Sequence, residues 1–560
     1  MYTPIRAYSS AIALSASLIV LFHMGCENSP NIIDPPDNDN DQELHRLLVP
    51  EDYATIQAAI DSSAAGDTVL VYPGTYQETI KFDGEAIVVG SLFLITGDTS
   101  YITRTVIDAD YQGSVATFHG PDGFTAELCG FTLTHGTGSF TSYNDLSGGG
   151  LFCISSSAYL HHLRIRDCQV VGSGGGIYFQ RLRNPVIHHV EVVGCEAECG
   201  GGIYMEGGLA GSVPQISNAL VSNCIAEYGG GIALASSKVI MDSVTITENT
   251  AWKGGGLYLT GQYPLSQSTR LFIERNHAKY DGGGVWGALN LNSGHISNNT
   301  AERNGGGIFS GSANLLNVTV ANNQAGEHGG GLCYLRNYYS HGSTVSIHID
   351  SSVFQGNQSQ GGSGGGIFSH TGTEIIRTVF RNNTAAVDGG AIYGDRVMTI
   401  QNSMLVSNTA GLRGGAFGAD EDEWSQAKWS LVNVTLASNQ APEAGAGVIG
   451  ATTEFRNTIS WDNGLSEFFL ENSAIALVSY SAIMNGIEAF DYSSLHVYVD
   501  WREGNLTGNP QFVDIASGDY RLSPSSPCVD AGNPALEFND HDGTRNDMGT
   551  YGGPQPLEWD

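Results

Sequence analysis

The stretch NTAWKGGGLY, Asn249 to Tyr258, holds in ten residues the unit that the middle of this chain repeats. Its second half, three glycines followed by an aliphatic and then usually an aromatic residue, occurs twelve times. It begins at Gly148, Gly174, Gly200, Gly229, Gly254, Gly282, Gly305, Gly329 and Gly364, and decays to GGAIY at Gly389, GGAF at Gly414 and GAGV at Gly445. The starts lie 23 to 35 residues apart. A period in that range is the mark of a solenoid, propeller or array, in which each unit packs on its neighbours.

The first half of the stretch is a second fixed point, five to seven residues before each glycine triplet. It is Cys168, Cys195, Cys224, Asn249, Asn276, Asn299, Asn323, Asn357, Asn383, Asn408 and Asn439, with an apolar residue three before it and commonly Ala two after it. A strand therefore ends at Asn or Cys, the chain turns, glycines supply backbone with φ > 0, and a second strand begins. Rungs stacked about 4.8 Å apart place like residues above one another, so inward asparagines can bond along the stack as an amide ladder. Cysteine fits the same small pocket, and the stacked Cys168, Cys195 and Cys224 read as part of that ladder rather than as disulfides.

Outward from the array, composition limits the function classes. The sequence has 24 Lys+Arg against 57 Asp+Glu, a net charge of −33. That field repels nucleic acid and anionic lipid, and admits anionic polysaccharide only through bridging cations. No cofactor is called for; calcium is the one ion the acidic loops could take. Residues 1–26 read as a signal segment, with Arg6 before an apolar run and Gly25-Cys26 after it. Gly-Cys there resembles the lipobox of bacterial lipoproteins, which implies lipidation of Cys26; an ordinary cleaved signal or an uncleaved anchor is the alternative. Either way the chain is exported, and membrane contact is expected only through that lipid. Residues 27–43 are acidic, polar and Pro-containing, a disordered tether.

Residues 44–504 are expected to form the solenoid, with an N-terminal cap at 47–75, the glycine-rich array at 137–450 and degenerate final coils at 451–504. The segment ATIQAAIDSSAAGDTVLVYPGTYQETIKF, from Ala54, resembles the N-terminal segment of the pectin-lyase-like superfamily of right-handed parallel β-helices. The resemblance implies an all-β right-handed parallel β-helix whose open end is covered by a short amphipathic helix, read here over Tyr53–Ser63. The pairing of Gly-Gly-[Gly/Ala]-Ile with x-x-Asn resembles the repeat of chlamydial polymorphic outer-membrane proteins, which implies a surface adhesin. Those proteins carry a C-terminal autotransporter barrel; none is expected here, so their transport route is not carried over. Residues 505–560 resemble the closing segment of secreted bacterial β-helix proteins, a structural part.

Four groups of residues are candidates for chemistry. The aromatic stripe Phe152, Tyr178, Tyr204, Tyr258, Trp286, Phe309, Phe368 and Tyr393 is expected to point outward, because the aliphatic before each faces the core. It would make a face about 40 Å long, either a platform for sugar rings or a ladder shielded by loops. The pairs His161-His162 and His188-His189 fall in adjacent rungs, so a metal could bridge His162 and His189, or they form a polar ladder on a solvated face. Asp420 and Asp422 sit in a long acidic insertion, a calcium loop or a solvated one. Asp540, Asp542 and Asp547 read as a turn.

The galacturonase motifs of the pectin-lyase-like superfamily do not occur; Arg164-Ile165-Arg166 is the nearest approach to one. Arg181, Arg183 and Arg336 lack the setting of a lyase base. The longest insertion, from Tyr334 to Ile349, could wall a cleft with Arg336, Tyr338 and His341. The expectation is thus a non-enzymatic adhesin or glycan-binding rod on the bacterial surface or outer membrane, with a carbohydrate or cell-surface partner. A polysaccharide lyase or hydrolase is the alternative, and a spacer in a surface layer a third.

Overall fold

Three backbone bends per coil shape this molecule. In the coil that begins at Ile177, a strand Ile177–Gln180 is followed by a longer one, Val186–Val193, which bends at His189 (φ 51°). The next bend is Gly194 (φ 64°), one residue before the ladder position Cys195, and the third is Gly200 (φ 62°), the first glycine of the triplet. Each bend recurs as a column. The first runs His162, His189, Asn218, Ser243, Arg270, Ser293, Asn317, Ser351, Arg377 and Asn402; the second includes Asp167, Asn223, Glu248, Asn298 and Asn382. Three left-handed corners per turn make a three-faced prism. Asn and Ser recur at the two non-glycine corners because short polar side chains tolerate that conformation.

The computed structural model describes residues 45–84, 86–120, 125–142, 144–181, 183–208, 211–261, 268–336, 346–420, 427–492 and 496–557. Cys26, the acidic tether, Asp422, Tyr338 and His341 lie outside them. The strands that follow the glycine triplets form face 1, a sixteen-stranded sheet from Ile80–Phe82 to Phe490–Tyr492. Its pairing is parallel and in register, as in Ile177↔Ile203 and Tyr178↔Tyr204. The two halves of each long strand supply faces 2 and 3, before and after the first bend. Two-residue strands such as Thr250–Ala251 and His277–Ala278 form a narrow ribbon of seven along the corner after the ladder. Alternate residues, Ile177, Ile187, Val190 and Val192 among them, fill one continuous core, as stacked rungs with period-2 strands require. The chain is a right-handed parallel β-solenoid.

Only the first glycine of each triplet has positive φ; the second and third are small for another reason. A Cβ on Gly230 would lie 2.5 Å from the carbonyl oxygen of Gly255 and 2.6 Å from that of Thr250, both backbone of the next rung. At the third position the rungs tolerate a methyl, since Ala391 and Ala416 occupy it, fully buried. Register also corrects the last repeat. Gly447 pairs with Phe417, so the corner residue is Ala444 (φ 52°), one residue before the Gly445 taken as its start.

The N-terminal helix α1 is Ile56–Asp61, shorter than the segment read from sequence. Thr55 caps it, accepting from Ala58 N at 3.2 Å, and the Glu78 carboxylate accepts from Ile56 N and Gln57 N at 2.9 Å each. Acceptors there satisfy orphan N–H groups and meet the positive end of the helix dipole. At the far end the Ser62 and Ser63 hydroxyls donate to Ala58 O and Ile60 O, and the helix ends two residues early. Ile56, Ala59 and Ile60 are the buried face. Helices α2 (Phe93–Thr96) and α3 (Ser100–Arg104) follow as an insertion.

The C-terminal segment is a strap along the side of the prism. Tyr520 and Leu557 pack with Val379, Met404, Val406 and Ala437; Cys528 and Met548 pack with Ile459 and Ala482. Asn402 Nδ2 donates to Gly552 O at 2.6 Å, Thr550 N to Thr435 Oγ1 at 3.1 Å and Gly549 N to Asn457 O at 2.7 Å. Outward apolar residues of these late rungs are thereby covered.

Candidate functional site

The asparagine column is an unbroken ladder from Asn249 to Asn463, one rung beyond the span read from sequence. Asn323 shows the pattern. Its Nδ2 donates to Ile296 O at 2.8 Å and to Asn357 Oδ1 at 3.0 Å, while its Oδ1 accepts from Asn299 N and Nδ2, both at 3.0 Å. The pattern repeats at Asn276, Asn299, Asn357, Asn383, Asn408 and Asn439. Every amide group is spent within the stack, so the ladder is a structural element with nothing left for a ligand. Cys168, Cys195 and Cys224 continue the column as buried free thiols, and Cys224 N donates to Asn249 Oδ1 at 2.9 Å. At the other end the buried Glu467 terminates it, accepting from Asn463 Nδ2 at 2.7 Å and from the Ser460 hydroxyl. Burial raises the Glu467 carboxyl above its usual range.

The aromatic stripe points away from the core but is not an exposed face. Ring centroids are 5.4 Å apart for Phe152–Tyr178, 5.6 Å for Tyr178–Tyr204, 4.7 Å for Tyr258–Trp286, 6.4 Å for Trp286–Phe309 and 5.2 Å for Phe368–Tyr393, all stacked. Ala233 and Cys333 divide the stripe into three stacks, and within each a ring covers the next, so the faces between stacked rings are closed to a sugar. Phe152, Tyr178, Phe309 and Phe368 are buried; Tyr204, Tyr258, Trp286 and Tyr393 are half-buried. Leu335 packs against the Phe309–Cys333–Phe368 cluster, and His328 lies 4.3 Å from the Phe368 ring. The phenols are tied as well. Tyr178 and Tyr204 donate to opposite oxygens of Glu206 at 3.1 Å, and Tyr393 donates to Asp420 Oδ2 at 2.9 Å. Asp420 thus holds the stripe rather than standing free in a loop.

More exposed rings occur elsewhere. Trp252 and Tyr280 are 44% and 40% exposed, with centroids 6.0 Å apart and planes inclined by 58°. They lie in the spacer between the ladder residue and the glycines, in a backbone-paired line in which Trp252 N donates to Glu227 O, Tyr280 N to Trp252 O and Arg303 N to Tyr280 O. The Arg303 guanidinium stands 5.8 Å over the Tyr280 ring. Lys253 and Lys279 flank the pair in sequence, two of only five lysines in the chain. This ledge escaped the sequence reading because the spacer varies in length and composition from unit to unit.

The histidines stack as adjacent rungs, His162 on His189 at 4.7 Å with rings nearly parallel. Burial, with the neighbouring His161, His189 and His188, lowers His162 to about 4. Glu191 is engaged by Arg164 at 3.3 Å. Stacked rings present their faces, not their lone pairs, to each other. Arg164 and Arg166 are both ion-paired, the latter with Asp167 at 3.2 Å, and Ile165 is in the core. The strap and face 3 leave a groove lined by Ser351, Val353, Arg377, Arg381 and His541, in which Arg377 is already held by Asp350 and Gln555.

Residues 149–325 match the family model described as the right handed beta helix region, and residues 377–395 match that of the Chlamydia polymorphic membrane protein repeat. No curated protein matches the chain in sequence. Among solved structures, the crystal structure of pectate lyase Pel9A is similar over 91% of this chain and 96% of its own, at 13% identity and a TM-score of 0.26.

Proposed function

We propose that this chain is an exported rod of the bacterial cell surface that binds carbohydrate without transforming it, and that the Trp252–Tyr280 ledge is its binding surface. The observation that carries the reading is the exposure of the neighbouring Trp252 and Tyr280 rings, with the Arg303 guanidinium over Tyr280. An exposed aromatic ring offers a sugar an apolar face, and neighbouring cations offer donors to its hydroxyl and carboxylate oxygens. The rigid prism beneath fixes the ledge, so little order is lost on binding. The polymorphic membrane protein repeat supports surface placement, and lipidation at Cys26 would anchor the chain there.

The test is retention of purified protein on a panel of neutral and acidic polysaccharides, with and without calcium. Wild type is expected to bind at least one of them, and Trp252→Ala with Tyr280→Ala to lose it at an unchanged melting temperature. Binding that survives the double substitution would move the site elsewhere; unsaturated product released from a polyuronate would favour the lyase alternative.

A further inference from the structure

Face 2 carries a second constellation, at its N-terminal end. In the strand Glu127–Cys129, Leu128 points into the core and is fully buried, so Glu127 and Cys129 both project from the outer side. The next strand is Tyr159–Arg166, and its register sets Tyr159 beside Glu127 and His161 beside Cys129. One donor atom each from Glu127, Cys129 and His161 lies within 4.8 Å of the other two. Among the described residues this is the one place where three such donors converge.

We propose that Glu127, Cys129 and His161 form a binding site for a divalent transition-metal ion of zinc's character, with water in the fourth position. The donor set decides the class of ion. Hard cations such as calcium and magnesium take oxygen, whereas a thiolate, an imidazole and a carboxylate together suit borderline-soft zinc in tetrahedral geometry. His161 is already oriented for the role. Its Nε2 lies 3.0 Å from Glu127 Oε1, while its Nδ1 lies 2.9 Å from His162 Nδ1. The metal takes Nε2 together with the Glu127 oxygen, and the Nδ1 contact with His162 fixes the ring, the arrangement that ligating histidines use. His162 is itself clamped between Phe93, at 4.3 Å, and His189.

The surroundings are shaped to match. Cys129 is fully buried. Gly90 sits below it; a Cβ there would press on Leu94 Cδ2 at 2.9 Å and Cys129 Sγ at 3.1 Å. The His161 and Glu127 side chains keep 12% and 26% of their surface open, which leaves a way in. Binding breaks the Cys129 S–H bond and forms the metal–sulfur bond; the proton leaves to solvent, so affinity falls at low pH.

Cobalt(II) is the probe. Metal-stripped protein, kept reduced with a non-thiol reductant, is titrated with cobalt and read for thiolate-to-cobalt charge transfer and for visible bands of tetrahedral cobalt. The expected result is saturation at one equivalent, reversal by zinc, loss of the charge-transfer band in Cys129→Ser, and at least about tenfold weaker binding in His161→Gln. Circular dichroism establishes that each variant is folded. A folded wild-type chain with no charge-transfer band at stoichiometric cobalt overturns the proposal, as does a band that persists in folded Cys129→Ser. Should Cys129→Ser not fold, undiminished binding in His161→Gln overturns it equally.

Discussion

Asn323 accepts two hydrogen bonds and donates two from one buried amide, so its removal strands partners on both neighbouring rungs. Asn323→Ala is expected to lower stability by about 3 kcal/mol, the cost of buried donors left unmade plus a small cavity, read as a shift in the urea midpoint. An unchanged midpoint would mean water or a rotated neighbour replaces the lost bonds. The triplets give a sharper contrast. Gly230→Ala drives a methyl into the backbone of the next rung, whereas Gly231→Ala meets Ile246 Cγ2 at 2.7 Å and Gly256 O at 2.8 Å, at a position where later rungs carry alanine. The first is expected to abolish folding or cost several kcal/mol, the second clearly less; the order of the two melting temperatures checks it. The ladder was legible in the sequence because an inward position must repeat residue for residue. That Gly230 and Gly231 are small for lack of room was not legible, because the clash is with a chain some 25 residues further on.

Stacked elements explain why the aromatic stripe is less exposed than strand alternation implies. Alternation along one strand correctly places Tyr204 outside the core, but exposure depends on the strands above and below, and at rung spacing like rings cover one another. Phe309 is fully buried in that stack under Leu335. Phe309→Ala should therefore cost about 3–5 kcal/mol, as a core truncation does, while Trp252→Ala, on an open ledge, should change stability by no more than about 0.5 kcal/mol. Thermal unfolding of the two variants side by side separates an internal stack from a surface one, and equal losses would sink the distinction. The candidate surface was illegible for a related reason. Trp252 and Tyr280 come from spacers of different composition, and only the backbone pairing of adjacent rungs brings them together.

A solenoid of this size stands or falls by its nearest-neighbour contacts and by how its flanks are closed. The stacked rungs could be read from the repeat, and the right-handed β-helix from the resemblance; the strap's contacts could not, because its partners lie far back in the chain, 115 residues for Thr550 and Thr435. Asp540 is the pin of the strap, accepting from Gly553 N at 2.5 Å and Asp547 N at 3.0 Å. Burial, together with the nearby Asp547 and Asp542, raises it from 3.8 to about 6. The folded state therefore favours the protonated acid. Its contribution is fully present below about pH 4 and is lost as pH rises through about 6, leaving a strained carboxylate at neutral pH. Asp540→Asn removes the charge and keeps one accepting oxygen, placed where Gly553 N and, at 3.3 Å, Asp547 N can both donate to it. It is expected to stabilise the chain at pH 7.5 by about 1 kcal/mol, a figure discounted because the group is half exposed, and to flatten the change in melting temperature between pH 4 and pH 7. Hydrogen exchange locates the effect: amides of Met548, Gly549 and Gly553 should gain protection in the variant at neutral pH, with those of the mid-array ladder unmoved. Equal pH profiles for variant and wild type would mean that Asp540 is ionised at no cost, and that the strap is held by its apolar contacts alone.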